Sequence, residues 1–95
     1  MTEMRQTSEF SNWMRNLRDR RAIVKILSRI DRLSLGNAGD FQPVGEGVSE
    51  LRIHHGPGYR VYFVKRGASL IILLAGGDKS TQARDITKAL KLAKE

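Results

Sequence analysis

Apolar residues recur every three to four positions along the first third of the chain, a spacing typical of amphipathic helices. Thr7 or Ser8 can cap the first predicted helix, whereas the second begins near Arg21 and ends before Gly36. The apolar stripes are Phe10, Trp13, Met14 and Leu17 in the first helix, and Ile23, Ile26, Leu27, Ile30 and Leu33 in the second. Two helices joined by so short a segment predict an αα-hairpin.

After the turn-rich segment GNAGDFQPVGEG, the pattern becomes that of strands with short glycine-containing turns. Strands are predicted at 48–55, 59–65 and 69–75, and residues 3–6 and 41–44 are candidate edge strands. A last helix follows, capped by Asp78 or Ser80, with Ala83, Ile86, Leu90 and Ala93 along one side. The order (β)ααβββα predicts an α+β fold: a small antiparallel sheet of three to four strands, with the helical hairpin and the last helix packed on one face.

The predicted hairpin around GPG carries polar residues on the side opposite its apolar ones. Arg52 and His54 alternate with apolar neighbours on one strand, as do Arg60 and Tyr62 on the next, and we expect this face to be concave and open. Two arginines on adjacent strands repel each other unless an anion lies between them. Glu50 shares the face and could be that anion, but the surplus of positive charge favours a bound phosphate instead.

Composition narrows the class of protein. The chain has 95 residues, of which 40% are hydrophobic, and a single domain over residues 1–95 is expected. It contains no cysteine, which excludes disulfides, thiolate catalysis and cysteine-based zinc sites. The first ten residues lack the apolar region of a secretory signal, and the longest aliphatic run, 70–75, is too short to span a membrane. We therefore expect a cytoplasmic protein without a membrane partner.

Basic residues outnumber acidic ones by 17 to 10, for a net charge of +7. Such a balance favours nucleic acid, a ribonucleoprotein or an acidic protein as partner, although a merely solvated surface has the same composition. The charge is concentrated on the predicted helical hairpin and in the C-terminal segment. The residues that we predict to bind RNA or a protein partner are Arg18, Arg20, Arg21, Lys25, Arg29 and Arg84.

The residue types favour metal-free RNA cleavage over other chemistries. Carboxylates are scattered and no phosphate-binding loop is present, so neither a metal nor a cofactor is expected. In metal-free cleavage the 2′-hydroxyl attacks the adjacent phosphate, arginines stabilise the developing charge, and His, Tyr or Lys exchanges the protons. The candidate catalytic residues are Arg60, Lys79, Arg52, His54 and Tyr62.

Four segments of the chain form a recognisable set: FSNWMRNLRDRRA, ILSRIDRLSLGNAGDFQPVGEGVSELRI, ELRIHHGPGYRVYFV and LLAGGDKSTQARDI. They resemble the RelE/ParE superfamily of bacterial toxins, and most closely its HigB-like, phage Gp49-related branch of addiction module killer proteins. The resemblance implies a compact sheet with helices against it, and a toxin paired with a helix-turn-helix antitoxin. It also implies the ribosome and messenger RNA as partners, with operator DNA reached through the antitoxin. Many members cleave messenger RNA at the ribosome without a metal, whereas ParE-type members inhibit DNA gyrase.

The resemblance carries over to only some of the candidate site residues. Arg60 matches the strand arginine that contacts the scissile phosphate in RNA-cleaving relatives, and Lys79 lies near a basic residue that follows the fourth strand. Arg52 occupies a position that is often basic. The C-terminal tyrosine of some RelE members has no counterpart, so His54 and Tyr62 are assigned on physical grounds. Three readings stay open: a ribosome-dependent endoribonuclease, a gyrase inhibitor without enzymatic activity, and a basic domain that only binds antitoxin or operator DNA.

Overall fold

The computed structural model describes residues 2–95, which form five strands and three α-helices. In chain order these are β1 (Glu3–Gln6), α1 (Ser8–Asn16), α2 (Arg20–Ser34), β2 (Phe41–Gly45), β3 (Val48–Ile53), β4 (Tyr59–Arg66), β5 (Leu70–Asp78) and α3 (Gln82–Ala93). A single 3-10 turn, Lys79–Thr81, joins β5 to α3. The α+β class is confirmed, and both candidate edge strands are present. None of the helices in the described part of the chain is long and apolar enough to cross a membrane.

The strands form one mixed sheet in the order β1-β5-β4-β3-β2. The pairs β2–β3, β3–β4 and β4–β5 are antiparallel, as short turns require, but β1 runs parallel to β5, with Glu3 opposite Leu70. The prediction of a purely antiparallel sheet of three to four strands is therefore wrong. Residues 7–69 separate β1 from β5, so no tight turn constrains their relative direction.

Helices cover both faces of the sheet, and the prediction that they share one face is wrong. Helices α1 and α2 pack on one side, in a core formed by Phe10, Ala22, Ile26, Leu33, Leu51, Ile53, Val61, Phe63, Ile71 and Leu73. Helix α3 covers the other side, with Val48, Tyr62, Val64, Leu74, Ala75 and Ala89. The reason lies in β4 and β5, which carry apolar side chains on both faces and need two covering layers. The polar side of the β3–β4 hairpin is consequently not an open face.

The helix starts follow local capping chemistry. Thr7 caps α1 by accepting a hydrogen bond from the Phe10 N–H at 3.1 Å, and its hydroxyl donates to the Leu74 carbonyl at 2.6 Å, which ties the helix to β5. Asp19 caps α2 and accepts from the Ala22 N–H at 3.2 Å. Helix α2 buries a narrower stripe than predicted, because Leu27 is 51% exposed.

Two consecutive glycines let a helix approach β5 from each side. A Cβ at Gly76 would overlap the ring of Trp13 from α1, and a Cβ at Gly77 would overlap the carboxylate of Asp85 from α3. Successive strand residues face opposite sides of a sheet, so the pair serves both covering layers at once. The GG sequence is thus explained by close packing.

We expect Gly76→Ala to lower the free energy of unfolding by about 2 kcal/mol, because the added methyl group overpacks the contact with Trp13. Urea unfolding of the variant measures the loss. In a Trp13→Ala background the same change should cost clearly less, since the ring is gone. An equal cost in both backgrounds would show that the Trp13 contact is not the cause.

Candidate functional site

A buried carboxylate organises the polar side of the β3–β4 hairpin. Glu50 is only 1% exposed and accepts hydrogen bonds at both of its carboxylate oxygens. Arg52 Nε donates to Oε1 at 3.0 Å and Arg60 NH1 donates to the same oxygen at 3.2 Å. The Tyr62 hydroxyl donates to Oε2 at 3.1 Å, and Gln82 Nε2 donates to it at 2.9 Å. These five residues are called the Glu50 cluster below.

Strand register explains why the cluster forms. Glu50 lies opposite Tyr62, and Arg52 lies opposite Arg60, in the antiparallel pairing of β3 with β4. Residues two apart on a strand share a face, so the four side chains project to the same side of the sheet. Gln82, the first residue of α3, then reaches Glu50 from the helix that covers this side.

The cluster keeps Glu50 ionised. Burial by itself raises the pKa of Glu50, but hydrogen bonds from Arg52, Gln82 and Tyr62 and the charge of Arg60 outweigh burial and lower the pKa below its ordinary value. Burial and the neighbouring Glu50 carboxylate raise the pKa of Tyr62, so its hydroxyl keeps its proton and acts as a donor.

Glu50, the internal anion that the sequence offered as the alternative to a phosphate, therefore lies between the two arginines. A phosphate that contacts the outward edge of the pair stays a prediction. One carboxylate faces two guanidinium groups, which leaves an excess of one positive charge. The Arg52 side chain is 33% exposed and that of Arg60 is 12% exposed. Arg60 Nε is buried and has no hydrogen-bond partner among residues 2–95. The outward edge of the pair has unused donors, mainly on Arg52.

The prediction that Tyr62 lies on an open face is wrong, because the residue is fully buried under α3. Its apolar ring packs with the core on that side, and its hydroxyl is used by Glu50. The structure thus places Tyr62 behind the arginines, as part of their support.

His54 lies beside this cluster, in a pair with Asp40. The His54 side chain is 76% exposed, and its Nε2 hydrogen-bonds to Asp40 Oδ2. The Arg52 N–H donates to the Asp40 carbonyl at 3.0 Å, so the pair sits next to Arg52. The hydrogen bond from His54 lowers the pKa of Asp40, and the charges of Arg52 and Arg29 contribute to the same direction.

Asp40 was missed as a site residue because it precedes His54 by fourteen positions, with no local spacing that links the two. The pairing of β2 with β3 brings them together. The neighbouring His55 has a different partner, Asp19 at the start of α2, at 3.0 Å. The two adjacent histidines thus connect β3 to two separate segments.

The other predicted residues are dispersed. Lys79 lies in the 3-10 turn after β5, where its N–H donates to the carbonyl of Pro57 in the β3–β4 turn at 3.4 Å. Arg84 is on α3 and lines a separate cleft between α1 and α3. The remaining predicted partner-binding residues, all on or just before α2, are Arg18, Arg20, Arg21, Lys25 and Arg29. Over residues 2–95, no three His, Asp or Glu side chains are grouped so as to hold a metal ion.

Arg29 differs from the other basic residues of α2, because its guanidinium group is used inside the protein. NH1 donates to the Arg52 carbonyl at 2.5 Å, and NH2 donates to the carbonyls of Ala38 at 3.0 Å and Asp40 at 3.1 Å. These bonds hold the segment before β2 against β3. The structure gives Arg29 a scaffold position rather than the exposed one predicted for it.

The fold and this site define a small α+β protein whose mixed sheet is covered on both faces and carries a charged cluster at one end. Residues 12–95 match the family described as "Phage derived protein Gp49-like (DUF891)", and the chain belongs to that family, which is toxin-like and associated with addiction modules. An uncharacterized protein of Haemophilus influenzae is 48% identical over 93 residues, covering 98% of this chain and 94% of the relative. The search of solved structures found no match.

We expect Glu50→Gln to lower the free energy of unfolding by about 3 kcal/mol at neutral pH, since it leaves two arginines without their buried counter-charge. The folded-state pKa of Glu50 is lowered, so the unfolded chain binds more protons as the pH falls. The extra stability of the parental protein over Glu50→Gln should therefore be fully present above pH 4.5, the ordinary pKa of this carboxyl group. It should shrink as the pH falls through the lowered folded-state pKa of Glu50.

Urea unfolding over a series of pH values measures this difference. Glu46→Gln is the matched control, because the exposed Glu46 pairs with Lys94 at 3.4 Å on the surface, and its loss should matter little. A stability difference between Glu50→Gln and the parental protein that does not change with pH would contradict the assignment of a charged Glu50.

Proposed function

We propose that this protein is the toxin of a bacterial type II toxin–antitoxin pair, with a RelE/ParE-type fold, and that it cleaves messenger RNA at the ribosome without a metal. Membership of a toxin-like addiction-module family supports the toxin role. The observation that carries the activity is the arginine pair, Arg52 opposite Arg60, which has a positive charge in excess and a histidine beside it. Its partners would be a helix-turn-helix antitoxin, the ribosome and messenger RNA, in the cytoplasm.

In this mechanism the scissile phosphate lies against the outward edge of the arginine pair. The ribose 2′-hydroxyl attacks the phosphorus and gives its proton to His54, while the guanidinium groups stabilise charge on the nonbridging oxygens. The bond to the 5′-oxygen breaks, and that oxygen takes up a proton. Lys79, in the 3-10 turn after β5, is the candidate for supplying that proton. Asp40 holds the His54 ring in place through their hydrogen bond.

The burial of Tyr62 changes the role proposed for it. A hydroxyl that keeps its proton and donates to Glu50 is poorly suited to exchange protons with RNA. Tyr62 and Gln82 instead act through Glu50, which holds the guanidinium group of Arg60 in place. We therefore assign Tyr62 as a positioning residue, and we keep Arg60, Arg52, His54 and Lys79 as the proposed catalytic residues.

Arg60→Lys is the sharpest test of the arginine pair. Alanine would leave the buried Glu50 short of a partner, whereas lysine keeps the charge and loses only the planar array of donors. We expect messenger cleavage after brief induction to fall about a hundredfold, with an unchanged unfolding midpoint. Arg5→Lys, on the exposed edge strand β1, should leave cleavage unchanged. A folded Arg60→Lys protein that cleaves at the parental rate would refute the assignment.

His54→Ala should reduce cleavage about a hundredfold and flatten its pH profile, because the proton acceptor is gone. Asp40→Asn should reduce the rate less, and Asp40→Glu should recover part of the loss. Both side chains are substantially exposed, so folding should not change. Cleavage of a reporter messenger RNA on purified ribosomes is the measurement, and Asp31→Asn, an exposed carboxylate on α2, is the control. An unaltered pH profile in His54→Ala would exclude His54 as the base.

Gyrase inhibition is the second candidate, and one observation favours it. Glu50 engages both arginines in the free protein and Tyr62 is buried, an arrangement that is also consistent with a scaffold without catalytic activity. Incorporation of labelled methionine and labelled thymidine after induction separates the two candidates. An early loss of protein synthesis supports ribonuclease activity, and an early loss of DNA synthesis supports gyrase inhibition. If neither changes, the protein is a basic domain that only binds antitoxin or operator DNA.

A further inference from the structure

A polar cleft lies between helices α1 and α3, at the end of β5 that β1 does not cover. The pairing of β1 with β5 ends at Leu73, so within residues 2–95 no strand lies beside Gly76, Gly77 and Asp78 on that side. These three residues border the cleft, which encloses about 330 Å³, a volume sufficient for a small ligand. Every side chain that borders it is polar or charged, apart from the indole of Trp13.

The carboxylate of Asp85 is buried in the wall of this cleft and has unused capacity to accept hydrogen bonds. Asp85 is only 3% exposed. The Thr81 hydroxyl donates to Oδ2 at 2.5 Å, and no other group of residues 2–95 donates to this carboxylate or forms an ion pair with it. A carboxylate can accept about four hydrogen bonds, and a buried one that lacks them is costly. Asp85 is therefore suited to a ligand with N–H donors.

The other charged groups of the cleft leave one free cation near its opening. Glu9 on α1 and Lys88 on α3 pair with each other at 3.5 Å. Asp78 accepts hydrogen bonds from the N–H and the hydroxyl of Ser80. Arg84 is exposed and forms no ion pair with any described residue. The cleft thus offers a buried acceptor inside and a free guanidinium group outside.

A guanine nucleotide has the complementary groups. Its base carries two adjacent donors, N1–H and the 2-amino group, which can pair with one carboxylate, whereas adenine has an amino group next to an acceptor. Bases stack on aromatic rings such as that of Trp13, and a phosphate pairs with arginine. A guanidinium group of a basic peptide has similar donors, but Arg84 and the net charge of +7 would repel such a peptide.

We propose that the cleft between α1 and α3 binds a guanine nucleotide, free or within an RNA chain. Asp85 accepts from the base, Trp13 stacks on it, and Arg84 pairs with the phosphate. The cleft adjoins the Glu50 cluster, because Gly77 lies opposite Arg60 in the pairing of β4 with β5. In an RNA substrate this guanosine would lie near the scissile phosphate. That consequence rests on the proposed function, whereas the binding of the nucleotide does not.

The fluorescence of Trp13 tests the proposal, because Trp13 is the single tryptophan of the chain and borders the cleft. We expect guanosine monophosphate to change this fluorescence with an affinity at least tenfold above that of adenosine monophosphate. Inosine monophosphate keeps N1–H but lacks the 2-amino group, so its affinity should lie between the two. Free N-acetyltryptophanamide corrects for light absorbed by the nucleotides.

Variants separate recognition of the base from recognition of the phosphate. Asp85→Asn should weaken guanosine monophosphate at least tenfold without weakening adenosine monophosphate, because an amide can pair with adenine. A merely structural role of Asp85 would weaken both. Arg84→Ala, at an exposed position, should weaken guanosine monophosphate about tenfold and leave guanosine unchanged. Lys91→Ala, an exposed cation of α3 outside the cleft, is the matched control and should change neither.

Equal affinities for the guanine and adenine nucleotides would overturn the proposal, as would unchanged fluorescence at millimolar guanosine monophosphate. Tighter binding of N-acetylarginine amide would also overturn it and assign the cleft to a basic protein segment.

A short RNA with one guanosine distinguishes the two sources of the ligand, with an adenosine RNA as its control. Tighter binding of the guanosine RNA than of the mononucleotide supports a site for RNA, and the reverse supports a site for the free nucleotide. The titrations need no ribosomes, so a protein without ribonuclease activity can still bind the nucleotide, and an active ribonuclease can still fail this test.

Discussion

The Glu50 carboxylate joins three elements of the fold, because β3 supplies it together with Arg52, β4 supplies Arg60 and Tyr62, and α3 supplies Gln82. A slip of one residue between β3 and β4 would move Glu50 to the apolar side of the sheet and leave a buried charge without partners. Such a state would be strongly unfavourable, so the cluster specifies the strand register. The same contacts fix the arginine pair on which the proposed activity depends.

Because helices cover both faces of the sheet, a ligand can approach only the parts that the helices leave exposed. Helix α3 closes one end of the polar side over Tyr62, and what stays accessible is the outward edge of the arginine pair and the His54–Asp40 pair next to it. On the opposite side, α2 leaves a basic groove that also reaches His54.

Arg29 shows how a single guanidinium group can belong to the scaffold of such a site. Its three carbonyl contacts hold the segment that carries Asp40 against the end of β3, and so bring Asp40 within reach of His54. Nothing in the helical spacing of α2 distinguishes Arg29 from Lys25 or Arg32. The distinction appears only when the segment after α2 folds back beneath Arg29, because the spare carbonyls come from residues 38–52.

Local information was enough for the positions of the helices and strands and for the cap at Thr7, because periodicity, Thr7 and the glycine turns act over a few residues. The predicted cap of the last helix was wrong, since Thr81 precedes α3 without a capping side-chain bond and Asp78 caps the 3-10 turn instead. The shared face of Arg52 and Arg60 also followed from strand alternation alone. Four features were decided only by tertiary structure: the parallel pairing of β1, the burial of Tyr62 under α3, Glu50 as the counter-anion, and the His54–Asp40 pair. Each of these depends on segments distant in sequence coming together, and on the cost of leaving a charge or an apolar surface without a partner, which no local pattern contains.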